Sequence, residues 1–215
     1  MLEFNNVSIT LINNNRPIIK DFSFVLHPKE KIAIIGEEGN GKSTLLKLVV
    51  DSKKVEEYAS VKGNINTHNM TIGYLEQSLD ASWNNESPLN FFLKKEPSNE
   101  LDYDNYNLLN DFYSYIAKFN VRKSVLNDNE VMGNLSGGEK VKLQLIKILC
   151  HNPDILLLDE PTNDIDIDTL KWLEDFINNT EKPILYISHD ETLLERTATG
   201  IIHLEQIKRK TECRH

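Results

Sequence analysis

The stretch "KIAIIGEEGNGKSTLLKLVV", residues 31–50, restricts the fold more than any other part of this 215-residue chain. Ile32–Ile35 form a short apolar run that suits a strand buried on both faces, as in parallel sheets. A glycine-rich turn follows, and Leu45, Leu46 and Leu48–Val50 then give a helix its apolar side. Two more apolar runs, "DILLLD" at 154–159 and "PILYIS" at 183–188, read as buried strands of the same kind. Between them, "DIDTLKWLEDFINN" repeats Leu170, Leu173 and Ile177 at helical spacing. Strands alternating with helices predict an α/β fold around a mainly parallel sheet.

The turn matches G-x-x-x-x-G-K-[ST] at Gly36, Gly41, Lys42 and Ser43. A tight turn before a helix would account for Gly39 and Gly41, but not for Lys42-Ser43 in register. In such a loop the main-chain N–H groups curl around phosphates, and the helix start adds the positive end of its dipole. Lys42 is expected to reach the β- and γ-phosphates, Ser43 to ligate Mg²⁺, and Thr44 to add a phosphate hydrogen bond. Two carboxylates, Glu37 and Glu38, sit in this loop for a polyanion. Because the main chain does the binding, both are expected on the rim, in water, where repulsion is screened.

"DILLLDEP" delivers Asp159 to a strand end, where it can hold Mg²⁺ through water. Glu160 follows, placed to orient or deprotonate an attacking water, since phosphoryl transfer rests on positioning and electrostatics. "LSGGEK", residues 135–140, carries two compatible readings. Ser136 and Glu139 have the S-x-x-E spacing of a capping box ahead of the helical "KVKLQLIKIL". The same Gly-Gly helix start is a place for an anion, so one nucleotide could be clamped between two chains.

Residues 78–130 differ from the rest in their Asn and Asp content. Within them "NLLNDFYSYIAKF" puts Leu109, Phe112, Ile116 and Phe119 on one helical face, which predicts a helical subdomain inserted into the α/β core. The net charge of -9 argues against nonspecific nucleic-acid binding through the bulk surface. A local basic run remains at Lys208, Arg209, Lys210 and Arg214, either a solvated helix face or a linker. Cys150 and Cys213 are unpatterned and read as free thiols of a reducing compartment. "MLEFNNVSIT" lacks a signal-peptide pattern, and no apolar run approaches the roughly 18 residues of a membrane span. A soluble, cytoplasmic protein is expected.

Gly36–Thr44, Gln77 in "YLEQS", "LSGGEK", "ILLLDEPTND" and His189 in "ISHD" occur in the order of an ATP-binding cassette ATPase, and the chain resembles that family over nearly its whole length. The resemblance implies a P-loop cassette: a mainly parallel core, an antiparallel β part at the N-terminus and the inserted helical subdomain. The whole of 1–215 would be one cassette, with 1–77 and 131–204 as nucleotide-binding core, 78–130 as helical subdomain and 205–215 as the start of a basic linker. ATP and Mg²⁺ are the implied ligands. Gly36, Gly39, Asn40, Gly41, Lys42, Ser43 and Thr44 would hold ATP, while Ser43, Gln77 and Asp159 would serve the metal. Glu160, His189 and Gln77 would be catalytic, Gln77 beside the attacking water and His189 at the γ-phosphate. Family members work as head-to-tail sandwiches, so Ser136, Gly137 and Gly138 would serve ATP held by a second cassette, in the same polypeptide or a homodimer.

"LSGGEK" and "DEPTN" further resemble the ABC-F branch, which lacks membrane domains, acts on ribosomes and carries two cassettes per polypeptide. The implied role is translation factor or antibiotic-resistance ribosomal protection; the alternative is the ATPase subunit of an ABC membrane transporter. Three departures stand out. Leu11 or Ile12 occupies the place of the usual adenine-stacking aromatic, and Asp164 that of the usual His after "DEPTN". Only 57 residues separate Gln77 from Leu135, the length of an ordinary helical subdomain without an extra arm.

Overall fold

The computed structural model describes residues 1–127 and 129–205. Strands β1 (Leu2–Leu11), β2 (Arg16–Leu26) and β3 (Lys31–Ile35) lead to helices α1 (Lys42–Val50) and α2 (Ser52–Glu56) and to strands β4 (Ala59–Asn66) and β5 (Ile72–Leu75). Helices α3 (Pro88–Leu93), α4 (Tyr103–Asn107), α5 (Leu109–Lys118) and α6 (Gly137–Cys150) follow. The chain continues through β6 (Ile155–Asp159), α7 (Ile167–Asn179), β7 (Ile184–Ile187), α8 (Glu191–Thr197) and β8 (Gly200–His203). Its contacts divide it into two compact units, Met1–Met70 with the chain from Glu181 on, and Thr71–Thr180.

The first unit holds the expected antiparallel part, in the order β2-β1-β4. Strict alternation along β1 would bury Leu2 and Phe4 and then turn Val7 and Ile9 outward. Instead all four are buried, because the register shifts between Phe4 and Val7, where Asn6 takes φ 50°. This bulge returns the second apolar pair to the core side. In the same unit β3 lies between β7 and β8 in parallel, with Ile34 opposite Ile187 and Ile35 opposite His203. The apolar runs predicted from 32–35 and 183–188 are these buried strands.

In the second unit β5 and β6 pair in parallel, Leu75 opposite Leu158, and every residue of β6 is buried. Around them the helices of the Asn-rich segment pack through aromatic rings. Phe92 stacks on Phe112 at 4.3 Å, and Phe119 meets Trp172 at 4.8 Å and Phe176 at 5.8 Å. Phe112, Ile116 and Phe119 are buried as their spacing predicts, whereas Leu109, at the first residue of α5, is only half-buried. Leu173 and Ile177 of α7 likewise reach the core, and Leu170 stays half-buried. Burial pushes the Cys150 thiol up to about 12, so it remains protonated and unreactive. Cys213 and the basic run from Lys208 to Arg214 lie outside the described residues. No helix of the described residues is long and apolar enough to cross a membrane.

Lys147 of α6 is the polar anchor of this packing. Its ammonium donates to the carbonyls of Phe91 at 2.7 Å and Lys94 at 2.5 Å, which close the end of α3. It also lies 4.9 Å from the ring centre of Trp83 and 4.6 Å from that of Phe91. Burial nevertheless pulls its pKa down from 10.5 to about 8. Below about 8 the folded chain carries the full cost of the buried charge. As pH rises towards 10.5 the folded state sheds that proton before the unfolded state does, and this residue's contribution to stability increases. Lys31, in the other unit, is lowered to about 8 by burial as well and acts in the same sense. Urea midpoints measured from pH 7 to 10 should therefore rise less steeply in Lys147→Met than in the wild type, with a residual slope from Lys31. An unchanged slope would show that Lys147 titrates normally in the folded chain.

Candidate functional site

The predicted site residues divide between the two units. In the first, the loop Gly36–Gly41 leaves the carboxyl end of β3, and His189 stands two residues beyond β7. Because Ile34 is opposite Ile187, the loop and His189 depart from the same end of neighbouring parallel strands. That is where open α/β sheets place ligands. Gly41 is the N-cap of α1 with φ 82°, a left-handed conformation that favours glycine and turns successive amides inward. Asn40 ties the loop to the chain after β8, its Nδ2 donating to the Leu204 carbonyl at 2.9 Å.

Lys42 is buried at 7% exposure, and its ammonium donates to the Gly36 and Glu37 carbonyls at 2.6 and 3.0 Å. No carboxylate is bonded to it among the described residues. A buried cation held only by carbonyls keeps its charge available to an anion. Glu37 and Glu38 are both exposed, as expected of rim residues. Ser43 and Thr44 lie half-buried in the first turn of α1. The loop thus fits a nucleotide's phosphates in charge and in backbone form. Arg16, which sequence reasoning passed over, reaches the rim, with Nη2 3.4 Å from the Gly39 carbonyl. Its cross-strand partner in β1 is Leu11, one of the two residues, with Ile12, expected in the place of an adenine-stacking aromatic.

In the second unit the parallel register does the same work. Since Leu75 is opposite Leu158, Gln77 and Glu160 leave their strands side by side. They line one cleft of about 240 Å³ together with Gly137, Lys140, Asn163 and Asp164. Asp159 is buried at 1% exposure, and its Oδ2 accepts a hydrogen bond from the Tyr74 hydroxyl at 3.2 Å. Tyr74 was not legible as a site residue, because the link to Asp159 spans 85 positions. Glu160 is buried at 7% exposure and takes φ 48°. A non-glycine residue in that region costs about 1–3 kcal/mol, and such strain gathers at functional sites. A buried carboxylate beside another carboxylate suits a metal ion and a proton acceptor, so this donor set fits Mg²⁺ and an activated water.

The "LSGGEK" helix start forms the complete capping box. Ser136 Oγ accepts from the Glu139 N–H at 3.3 Å, and the Glu139 carboxylate accepts from the Ser136 N–H at 2.9 Å. Its glycines have a second reason to be there. A Cβ on Gly137 would lie 2.0 Å from the Asp164 carbonyl oxygen, and one on Gly138 would lie 2.3 Å from Thr169 Oγ1. The segment after Glu160 therefore rests directly on the start of α6. Asp164, at the place of the usual His, turns the chain there with φ 59°.

Thr169 itself is held by Asp166, the N-cap of α7, through its N–H at 2.8 Å and its hydroxyl at 3.0 Å. Gly138→Ala should push Thr169 off this cap and destabilise the fold by about 1–3 kcal/mol in urea unfolding. Thr169→Ala removes the two nearest atoms, Oγ1 and Cγ2, and leaves only a tight approach to its Cβ at 3.0 Å, so the double variant should lose less than the sum of the two single losses. Strict additivity would show that the close approach carries no strain.

Comparison with known proteins agrees with this geometry. The profile of the ABC transporter family matches residues 19–163. ATP-binding protein Uup of Buchnera aphidicola (subsp. Acyrthosiphon pisum) is 33% identical over 211 residues, covering 97% of this chain and 33% of that protein. Energy-dependent translational throttle protein EttA of Haemophilus influenzae is 30% identical over 198 residues, covering 91% of this chain and 33% of its own. ABC transporter F family member 5 of Arabidopsis thaliana is 25% identical over 222 residues, covering 87% and 32%. The chain thus spans about a third of the length of these curated relatives. A metal-chelate type ABC transporter solved in an inward-facing conformation shares the fold, with a TM-score of 0.76 at 18% identity over 95% of this chain and 80% of that one. A Gly-rich loop at a strand end, a strand-end carboxylate pair and a profile that spans both identify the chain as a member of the ATP-binding cassette family of ATPases, with relatives in its ABC-F branch.

Proposed function

We propose that this cassette binds and hydrolyses ATP with Mg²⁺, in partnership with a second cassette, and that the assembly acts on the ribosome. The observation that carries the hydrolytic part is the placement of Gln77 and Glu160 at adjoining strand ends in one cleft. On this reading Lys42 and the amides of Gly36–Thr44 hold the phosphates. Ser43, Gln77 and Asp159 would hold Mg²⁺, which when bound would offset negative charge on the phosphates. Glu160 accepts a proton from water as its oxygen bonds to the γ-phosphorus and the bond to the departing ADP oxygen breaks. His189 and Gln77 orient the phosphate and the water. Ser136, Gly137 and Gly138 meet the nucleotide of the other cassette. Residues 78–130 act as a helical subdomain, and 205–215 begin a basic linker.

The ribosomal part rests on the relatives: EttA is named a translational throttle, and the Arabidopsis relative is an F-family member. With a net charge of -9, the bulk of the cassette surface is a poor ligand for RNA, so contacts should come from basic segments such as the Lys208–Arg214 run. The site reading and the ribosome reading meet in one variant. Glu160→Gln should retain ATP binding and lose turnover by about 10²–10⁴-fold. The polypeptide that carries this cassette, with that substitution and Mg²⁺-ATP, should co-sediment with ribosomes and dissociate steeply as salt is raised. Near-normal phosphate release would reject Glu160 as the base. Fractionation with membranes, and indifference to ribosomes at low salt, would favour a transporter role instead.

A further inference from the structure

The first turn of α6 presents a conflict that the capping box alone does not resolve. Glu139 Oε2 accepts from both the N–H and the hydroxyl of Ser136, the latter at 3.1 Å. The hydroxyl's only proton is therefore turned towards a carboxylate, and that carboxylate carries negative charge where a second cassette's nucleotide would bring more. Arg122 answers both problems. Its Nε bonds Glu139 Oε1, the oxygen that Ser136 does not use. Nη1 donates to Ser124 Oγ at 3.1 Å, and Nη2 to Glu130 Oε2 at 3.3 Å, so the guanidinium is fixed in place. Glu139 is held below the usual carboxylate range against the opposing pull of its own burial, by Arg122 first and then by the two Ser136 donors. Arg122 lies between α5 and the short helical turn Lys123–Leu126, so it joins the Asn-rich segment to the start of α6.

We infer that Arg122 is a positioning residue for the inter-cassette site: it offsets the charge of Glu139 through the oxygen that Ser136 does not use, so that the Ser136 hydroxyl can turn from Glu139 to the phosphate of a nucleotide held by a second cassette. The inference rests on the sandwich reading proposed above. With Arg122 present, an approaching phosphate meets a carboxylate whose charge is offset by a guanidinium, which Glu130 shares, and a releasable hydroxyl. Without it, the phosphate meets a bare carboxylate that also retains the hydroxyl's proton. The cap itself does not use Arg122, because it runs through Glu139 Oε2 while Arg122 bonds Oε1, and Glu139→Gln keeps it because Glu and Gln both complete a capping box.

The test uses the chain with Glu160→Gln as its background and reads Mg²⁺-ATP-dependent dimerisation by sedimentation velocity, with a thermal melt of each nucleotide-free variant as the folding control. Arg122→Gln should weaken the ATP-dependent dimer about tenfold or more, through like-charge repulsion at the interface. Adding Glu139→Gln to Arg122→Gln should restore it, because the uncompensated charge is gone while the cap remains. Glu130→Gln in its place should restore nothing. An Arg122→Gln loss that persists with Glu139→Gln, or no loss in a folded Arg122→Gln, would overturn the role of Arg122 and leave the sandwich standing. Absence of ATP-dependent dimers in Glu160→Gln alone would overturn both.

Discussion

Parallel strand register is the constraint on which the rest of this molecule depends. In a parallel pair, evenly matched strands end together, and whatever follows them is brought together. Ile34 opposite Ile187 sets the Gly36–Gly41 loop beside His189, and Leu75 opposite Leu158 sets Gln77 beside Glu160. A slip of one residue in either pair would move these groups by more than 3 Å and turn the flanking side chains to the opposite face. The apolar runs of β3, β6 and β7 prevent the slip, since they are buried along nearly their whole length. Placement of the polar groups at the strand ends is thus secured by apolar side chains that take no part in the chemistry.

Close backbone approach is the second constraint, and it acts where the chain has least side chain to spare. The Gly137-Gly138 pair satisfies two demands at once. It opens a capped helix start towards solvent, and it admits the Asp164 carbonyl and the Thr169 side chain at distances that no Cβ allows. The segment that follows Glu160 and the start of α6 therefore form one packed unit. A shift in either is felt by the other, which gives a physical route from the cleft around Glu160 to the exposed Ser136.

Much of this was legible in the sequence, because the signals are local. A strand, a glycine turn and a helix within twenty residues announce the β3–loop–α1 unit, and four apolar residues before Asp159 announce a strand end. The rim position of Glu37 and Glu38 followed from the main chain doing the binding, and both are exposed. The S-x-x-E spacing foretold both bonds of the cap. What stayed hidden depends on distant partners or on broken periodicity. Tyr74 meets Asp159 across 85 positions, Arg16 meets Gly39 across 23, and Arg122 meets Glu139 across 17. Leu109 and Leu170 fit the helical spacing yet are half-buried, because each sits at or near the start of its helix, where the packed face is incomplete. The β1 bulge at Asn6 was equally hidden, since alternation by two cannot anticipate an inserted residue.

Among the described residues the buried Lys42 is bonded to loop carbonyls alone, and on the reading proposed above it would hold nucleotide phosphate. Lys42 has carbonyl partners at 2.6 and 3.0 Å and sits at 7% exposure, so its charge has been desolvated before any ligand arrives. A phosphate that replaces those carbonyls gains a charge-assisted bond in a place where water competes poorly. Isothermal titration of the wild-type chain and of Lys42→Ala with Mg²⁺-ATP measures that gain directly. Binding by the wild type is expected, with a loss of about tenfold or more in Lys42→Ala, the size of one hydrogen bond to a charged group. Equal affinities in the two chains, or no binding by the wild type, would contradict it.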